Sequence, residues 1–117
     1  MSHDLVFRRV PPGRRDVARR FVPVPGDPDA TWWELVDVAA ASAGPPAAVA
    51  LTRTGDDGVV RVVGLHGAPV GRLVRELVAA LRRTDAVAVE IADAPGVLEG
   101  LSCEQAERVG NHLVVPL

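Results

Sequence analysis

Lysine and tyrosine are both missing from this chain of 117 residues, and cysteine occurs once, at Cys103. One cysteine cannot close an intrachain disulfide, which suits a reducing compartment. Without lysine the Walker phosphate loop is excluded. The dinucleotide-binding fingerprint fails as well, because Gly64, Gly67 and Gly71 have the wrong spacing. Aromatic residues are scarce, two Phe and two Trp. The interleaved aromatics of a nucleic-acid platform are therefore lacking, and nucleic acid is not an expected partner. No apolar run approaches a bilayer span, and Met1-Ser2-His3-Asp4 does not open like a signal peptide. A cytoplasmic protein without membrane contact is expected. His3, His66 and His112 are far apart, no cysteines are paired, and no metal site is expected. Ser42 and Ser102 lack the setting of a nucleophile elbow.

What the chain does contain is apolar, 48% of it, with 24% charged residues and a net charge of −2. That composition fits one folded domain, residues 1–117, with a real core. All thirteen cations are arginines, and six of them fall within residues 1–20. This basic stretch suits a solvated face or a phosphorylated ligand.

Local patterns divide the chain into alternating elements. Leu5–Val10 reads as a strand stopped by Pro11-Pro12-Gly13, and Arg14–Phe21 as two helical turns before the proline loop Val22–Pro28. Asp29 or Thr31 is a candidate N-cap, with Glu34 three residues after Thr31. A helix is expected over Ala30–Ala43, with Trp32, Leu35, Val36 and Ala39 as its apolar stripe. Ala47–Arg53 and Val59–Leu65 form the clearest hairpin, joined by Thr54-Gly55-Asp56-Asp57-Gly58. The turn His66–Pro69 leads into an amphipathic helix over Val70–Arg83, with Val70, Leu73, Val74, Leu77, Val78 and Leu81 on one face. Ala86–Ile91 has the two-sided apolar character of a buried parallel strand. A short helix from Pro95 and a last strand over His112–Leu117 complete the reading. The fold class is α/β, with a mixed sheet built on a central β-hairpin and a βαβ unit over residues 59–91.

The turn at residues 66–69 carries the chemistry. A glycine-containing turn between a strand and a helix N-terminus presents free amides, and the helix dipole favours an anion there. Arg72, on the first helical turn, adds a charge for phosphate.

From Val59 to Ile91 the chain resembles the acyl-CoA-binding core of the GNAT N-acetyltransferases. Gly71-Arg72-Leu73-Val74 resembles that family's helix start. Gly100-Leu101-Ser102-Cys103-Glu104 sits where its Leu-Gly-Phe-Glu sequence lies, ahead of a terminal strand pair. Leu5–Val10 resembles its first strand. The resemblance implies a splayed mixed sheet. The pantetheine arm of acetyl-CoA, or of another acyl-CoA, would lie between strands near Val63–Leu65 and Val87–Val89. The pyrophosphate would meet the amides of Gly67 to Arg72. Val63, Leu65, Gly67, Val70, Gly71 and Arg72 are the implied cofactor-binding residues.

The chain departs from the family at its acid and base. Leu98 stands where a tyrosine acid is usual, Arg61 occupies the strand that usually carries a glutamate, and Pro69 removes an amide from the loop. His66 is a candidate base, or else a solvent-exposed turn histidine. Cys103 is a candidate acid or acyl-accepting thiol, or else a small buried residue. Trp33, beside Trp32, is expected half-exposed, lining a substrate cleft or a homodimer interface, or packed on the loop Val22–Pro28. Two functions follow. One is a small N-acyltransferase passing an acyl group from acyl-CoA to a small-molecule amine. The other is a non-catalytic or repurposed GNAT-like protein, in a biosynthetic pathway or otherwise, that binds a small molecule or a partner protein.

Overall fold

The computed structural model describes residues 5–11, 30–37, 47–102 and 104–117. The helical turns expected over Arg14–Phe21, the loop Val22–Pro28 and Cys103 lie outside these residues.

Among the described residues, seven strands form one sheet: β1 (Leu5–Arg9), β2 (Thr31–Asp37), β3 (Ala48–Thr54), β4 (Val59–His66), β5 (Ala88–Ala92), β6 (Glu107–Val109) and β7 (His112–Pro116). The spatial order is β1-β2-β3-β4-β5-β7-β6. Every pairing is antiparallel except β4 with β5. Helix α1 (Val70–Leu81) joins those two parallel strands, giving the expected βαβ unit. A single turn, α2 (Val97–Gly100), precedes the terminal hairpin β6–β7.

Helix α1 lays its stripe on one face of the sheet. Leu73, Val74, Leu77, Val78 and Leu81 are buried there against Phe7, Trp33, Leu35, Ala50, Val60, Val89, Ile91, Leu113 and Val115. Val10, Ala30, Trp32, Val49 and Leu51 form a second core on the opposite face.

Residues 31–37 correct the sequence reading: they form a strand, not the first half of a helix. Both faces of β2 are covered, so its apolar residues need not alternate with polar ones, and their spacing imitates a helical stripe. Neighbouring residues on a strand point to opposite faces. Trp32 and Trp33 thus enter separate cores, each at most 5% exposed. Trp33 is not half-exposed as expected. Glu34, read as a capping-box residue, is a fully buried strand residue whose Oε1 accepts from Arg8 Nε and Nη2 at 3.0 and 2.9 Å.

The Trp33 indole N–H donates to Thr52 Oγ1 at 2.8 Å, a buried bond across neighbouring strands. Thr52→Val keeps the side-chain shape and leaves that N–H without its acceptor. Chemical denaturation is expected to show a loss of about 1–3 kcal/mol.

The β3–β4 turn reads as the sequence implied. The Val59 amide donates to Asp57 Oδ1 at 3.1 Å, and Arg61 reaches Oδ2 at 3.3 Å. These contacts, the amide foremost, hold the Asp57 carboxyl below its ordinary value. Since the folded-state pKa is depressed, its support for the turn is complete above the unfolded pKa. That support is lost as pH falls through the folded one.

Candidate functional site

Strands β4 and β5 pair only at Val59–Ala88, Val60–Val89 and Arg61–Glu90, and then part. On the other side of β4 the register with β3 slips. Leu51 faces Gly64 and Thr52 faces Val62, so Val63 is an extra residue, a β-bulge. The bulge leaves Val63 53% exposed. Beyond Glu90, the edges of β4 and β5 that would have faced each other carry no ladder bonds, and backbone donors and acceptors there are available to a ligand. Between them lies a mainly apolar cavity of about 380 Å³. It is lined by Val62, Val63, Gly64 and Leu65 of β4, Val70 of α1, and residues of the Ile91–Val97 segment, Ala92 among them.

The opening begins after Glu90, so it does not lie against Val87–Val89, as the resemblance implied. Ala88 and Val89 are still paired to β4, and Val87 donates its amide to Gly58 O at 2.9 Å. The strand's far end, Ile91–Ala92, forms that wall instead.

The N-terminus of α1 closes one end of the cavity through Val70. Pro69 is its N-cap and makes no side-chain capping bond. The first-turn amides thus keep their donor capacity, with the positive end of the dipole behind them. Gly67 has φ +136°, and a Cβ there would stand 2.7 Å from the Ala48 Cβ. Only glycine fits this turn without strain. Gly71 lacks a side chain for a different reason. Its Cβ would meet Gly96 O at 3.2 Å and Gly100 N at 3.5 Å, where α1 crosses α2.

Of the six implied cofactor residues, Val63, Leu65 and Val70 line the cavity. Gly67, Gly71 and Arg72 sit at the α1 N-terminus beside it. His66 ends β4, half-buried, opposite Val49, and does not line the cavity. Trp33 lines a different, smaller pocket.

The opposite face of the sheet holds a charged group that the sequence reading missed. Arg61 and Glu90 are the last cross-strand pair before β4 and β5 separate. Their neighbours Val60, Val89 and Ile91 point into the α1 core, so Arg61 and Glu90 point away from it. Arg61 Nε lies 3.2 Å from Glu90 Oε2, and His112 Nδ1, from β7, lies 3.8 Å from Glu90 Oε1. The Glu90 side chain is 26% exposed. It is a carboxylate held by an arginine, partly open to solvent on the last rung before the strands part, with an imidazole next to it; none of the three lines the cavity. Local patterning marked Glu90 only as the polar end of a buried strand. Its meaning depends on where two distant strands part.

No protein-family model matches the chain, and neither does any curated protein. Solved structures do match. A GNAT family acetyltransferase from Brucella melitensis in complex with acetyl-CoA superposes with a TM-score of 0.65. The match covers 99% of this chain and 90% of that one at 12% identity. An acetyltransferase from Bacillus subtilis in complex with CoA gives 0.55, with 97% and 99% covered at 9% identity. The ribosomal-protein-S18-alanine N-acetyltransferase of Escherichia coli gives 0.58, with 95% and 90% covered at 10% identity. Over nearly its whole length, this chain has the fold of the GNAT acyl-CoA N-acyltransferases.

Proposed function

We propose that the protein is a small N-acyltransferase that binds acetyl-CoA or a related acyl-CoA between β4 and β5 and acylates an amine. The observation that carries this reading is the parting of the two strands after Arg61–Glu90. It produces an apolar cavity flanked by unpaired strand edges and an uncapped helix N-terminus. A pantetheine arm needs such a channel with backbone partners along it. A pyrophosphate suits the amides of Gly67, Val70, Gly71 and Arg72, with the Arg72 guanidinium adding charge. Pro69 contributes none. CoA and acetyl-CoA bound in two proteins of the same fold support the cofactor class.

The bound acyl-CoA supplies a thioester carbonyl. The transfer forms one C–N bond, breaks the C–S bond, and releases a free thiol and the proton the amine gives up. Residues of this chain bind and orient. Val62, Val63 and Leu65 line the channel and exclude water from it. An amine approaching from the face opposite α1 meets Glu90. Its carboxylate takes the proton from the incoming ammonium, with the His112 imidazole 3.8 Å away. Arg61 positions the carboxylate. This assigns the base to β5 and removes the need for a glutamate on β4.

The second reading, a repurposed or non-catalytic member, draws on Pro69 in the loop and the absence of any tyrosine. One assay separates the two. The protein is incubated with acetyl-CoA and a panel of primary amines, and free thiol is followed with time. Amine-dependent thiol release is expected. Tight acetyl-CoA binding with no release across the panel would favour the second reading.

A further inference from the structure

The face of the sheet beneath α1 changes character along its length. On β2 the core-facing residues run Leu35, Trp33, Thr31, and on β3 they run Ala48, Ala50, Thr52, Thr54. Toward the C-terminal end of α1 these positions become threonines, where a core would continue with apolar side chains. Above them is a pocket of about 190 Å³. Its floor is Trp33 and Val60, and its roof is the end of α1 at Leu81 with Thr84, Asp85 and Ala86. Arg9 stands at one side and Asp56 of the β3–β4 turn at the other.

The polar groups of this pocket are not used up within the fold. Thr52 is 1% exposed. Its hydroxyl accepts the Trp33 N–H, yet no described residue accepts its own proton. A buried hydroxyl facing a cavity with its donor unmatched calls for a partner. Arg9 stacks over Trp33, its Cζ 5.6 Å from the ring centroid, and pairs with no described carboxylate. Asp56 and Asp85 likewise pair with no described cation. Asp85 also lies just beyond the helix C-terminus, where partial negative charge favours a cation.

We infer that this pocket binds a small zwitterion of the free amino acid class, with its carboxylate on Arg9 and its ammonium between Asp85 and Asp56. The cavity has room for several waters or for a small organic molecule. The cation and the two carboxylates fall on opposite sides, which suits a ligand with both charges better than a simple anion. The site is separate from the acyl-CoA cleft. Helix α1 has twelve residues, and the two cavities lie at its two ends. At about 1.5 Å per residue they are roughly 17 Å apart, too far for direct transfer between them. The inference therefore stands without the acyltransferase reading.

Calorimetry with the full-length protein tests it, using the free amino acids together with amines and carboxylic acids that carry only half of the zwitterion. At least one amino acid is expected to bind saturably. Its affinity should fall about tenfold or more in Arg9→Ala and in Asp85→Asn, since each removes a charged partner. Both residues are exposed, so the variants should fold. Binding should survive Ala92→Trp, which fills the other cavity. Three results would overturn the inference: no binding across the panel, binding unchanged by both pocket variants, or binding lost in Ala92→Trp. Equal affinity for the carboxylic acids alone would refute the ammonium half of the assignment.

Discussion

Glu90→Gln is expected to lower kcat for acyl transfer at neutral pH by about a hundredfold or more, the usual contribution of a positioned general base. KM for acyl-CoA should change little, because Glu90 does not line the cavity. The substitution keeps the shape of the side chain and removes only its ability to hold a proton. The deficit should shrink as pH rises toward the pKa of the free amine, about 10.4 for a lysine-like acceptor, because the amine then arrives already deprotonated. Arg61→Ala should show a milder loss. Arg61 touches Glu90 through Nε at 3.2 Å, and removing it frees the carboxylate without abolishing it. A rate in Glu90→Gln equal to that of the wild type at neutral pH would remove Glu90 from the mechanism. A loss that does not change with pH would mark a structural role.

The second large effect concerns stability. A Cβ at Gly100 would stand 2.9 Å from the Val74 Cβ and closer still to the Gly71 carbonyl oxygen. Gly100 is buried, and its backbone has no positive φ to excuse a glycine, so the constraint is contact between α1 and α2. Gly100→Val is expected to cost roughly 3 kcal/mol or more, the upper range for overpacking a core. Gly71→Ala should cost less, because its nearest contact would be 3.2 Å, from Gly96 O. Gly110→Ala gives the contrast. With φ +61° and nothing within 4 Å, it should pay only backbone strain, about 1 kcal/mol. Thermal denaturation of the three variants gives the order directly. Equal stability of Gly100→Val and the wild type would show that the two helices do not cross so closely.

The same crossing explains part of what the sequence revealed. In the sequence, Gly71-Arg72 reads as the start of a phosphate-binding helix. In the structure, the missing side chain at Gly71 also makes room for α2, which a local motif does not announce. Helix α1 was legible because its stripe, from Val70 to Leu81, faces a single core. The β3–β4 hairpin was legible because its Asp-Gly turn is a local signal. Segment 31–37 was not legible. Its two faces enter two cores, and Glu34, buried against Arg8, took the place a capping residue would hold in a helix. Val63, Leu65 and Val70 could be placed from the resemblance, since they follow the strand–turn–helix order. Glu90 and His112 could not. Their proximity comes from β7 lying beside β5, and their position at the cleft comes from where β4 leaves β5. Both are facts of long-range register, which local pattern does not encode.

Among the described residues, no helix is long and apolar enough to cross a membrane. The surface is instead tied by exposed ion pairs between sequence-distant segments, Arg82 with Glu104 and Arg108 with Asp93. Each contributes little alone. Together they join the C-terminal segment to the end of α1 and to the strand β5 region that walls the cleft.

Calorimetric titration of acetyl-CoA into the wild type and into Ala92→Trp tests the central claim most directly. Ala92 is exposed and lines the cavity, so tryptophan there fills the cleft without disturbing the core. The account predicts saturable binding to the wild type, with one site per chain, and an affinity about a hundredfold lower in Ala92→Trp, since the channel is then blocked. No binding to the wild type, or equal binding to both proteins, would contradict it.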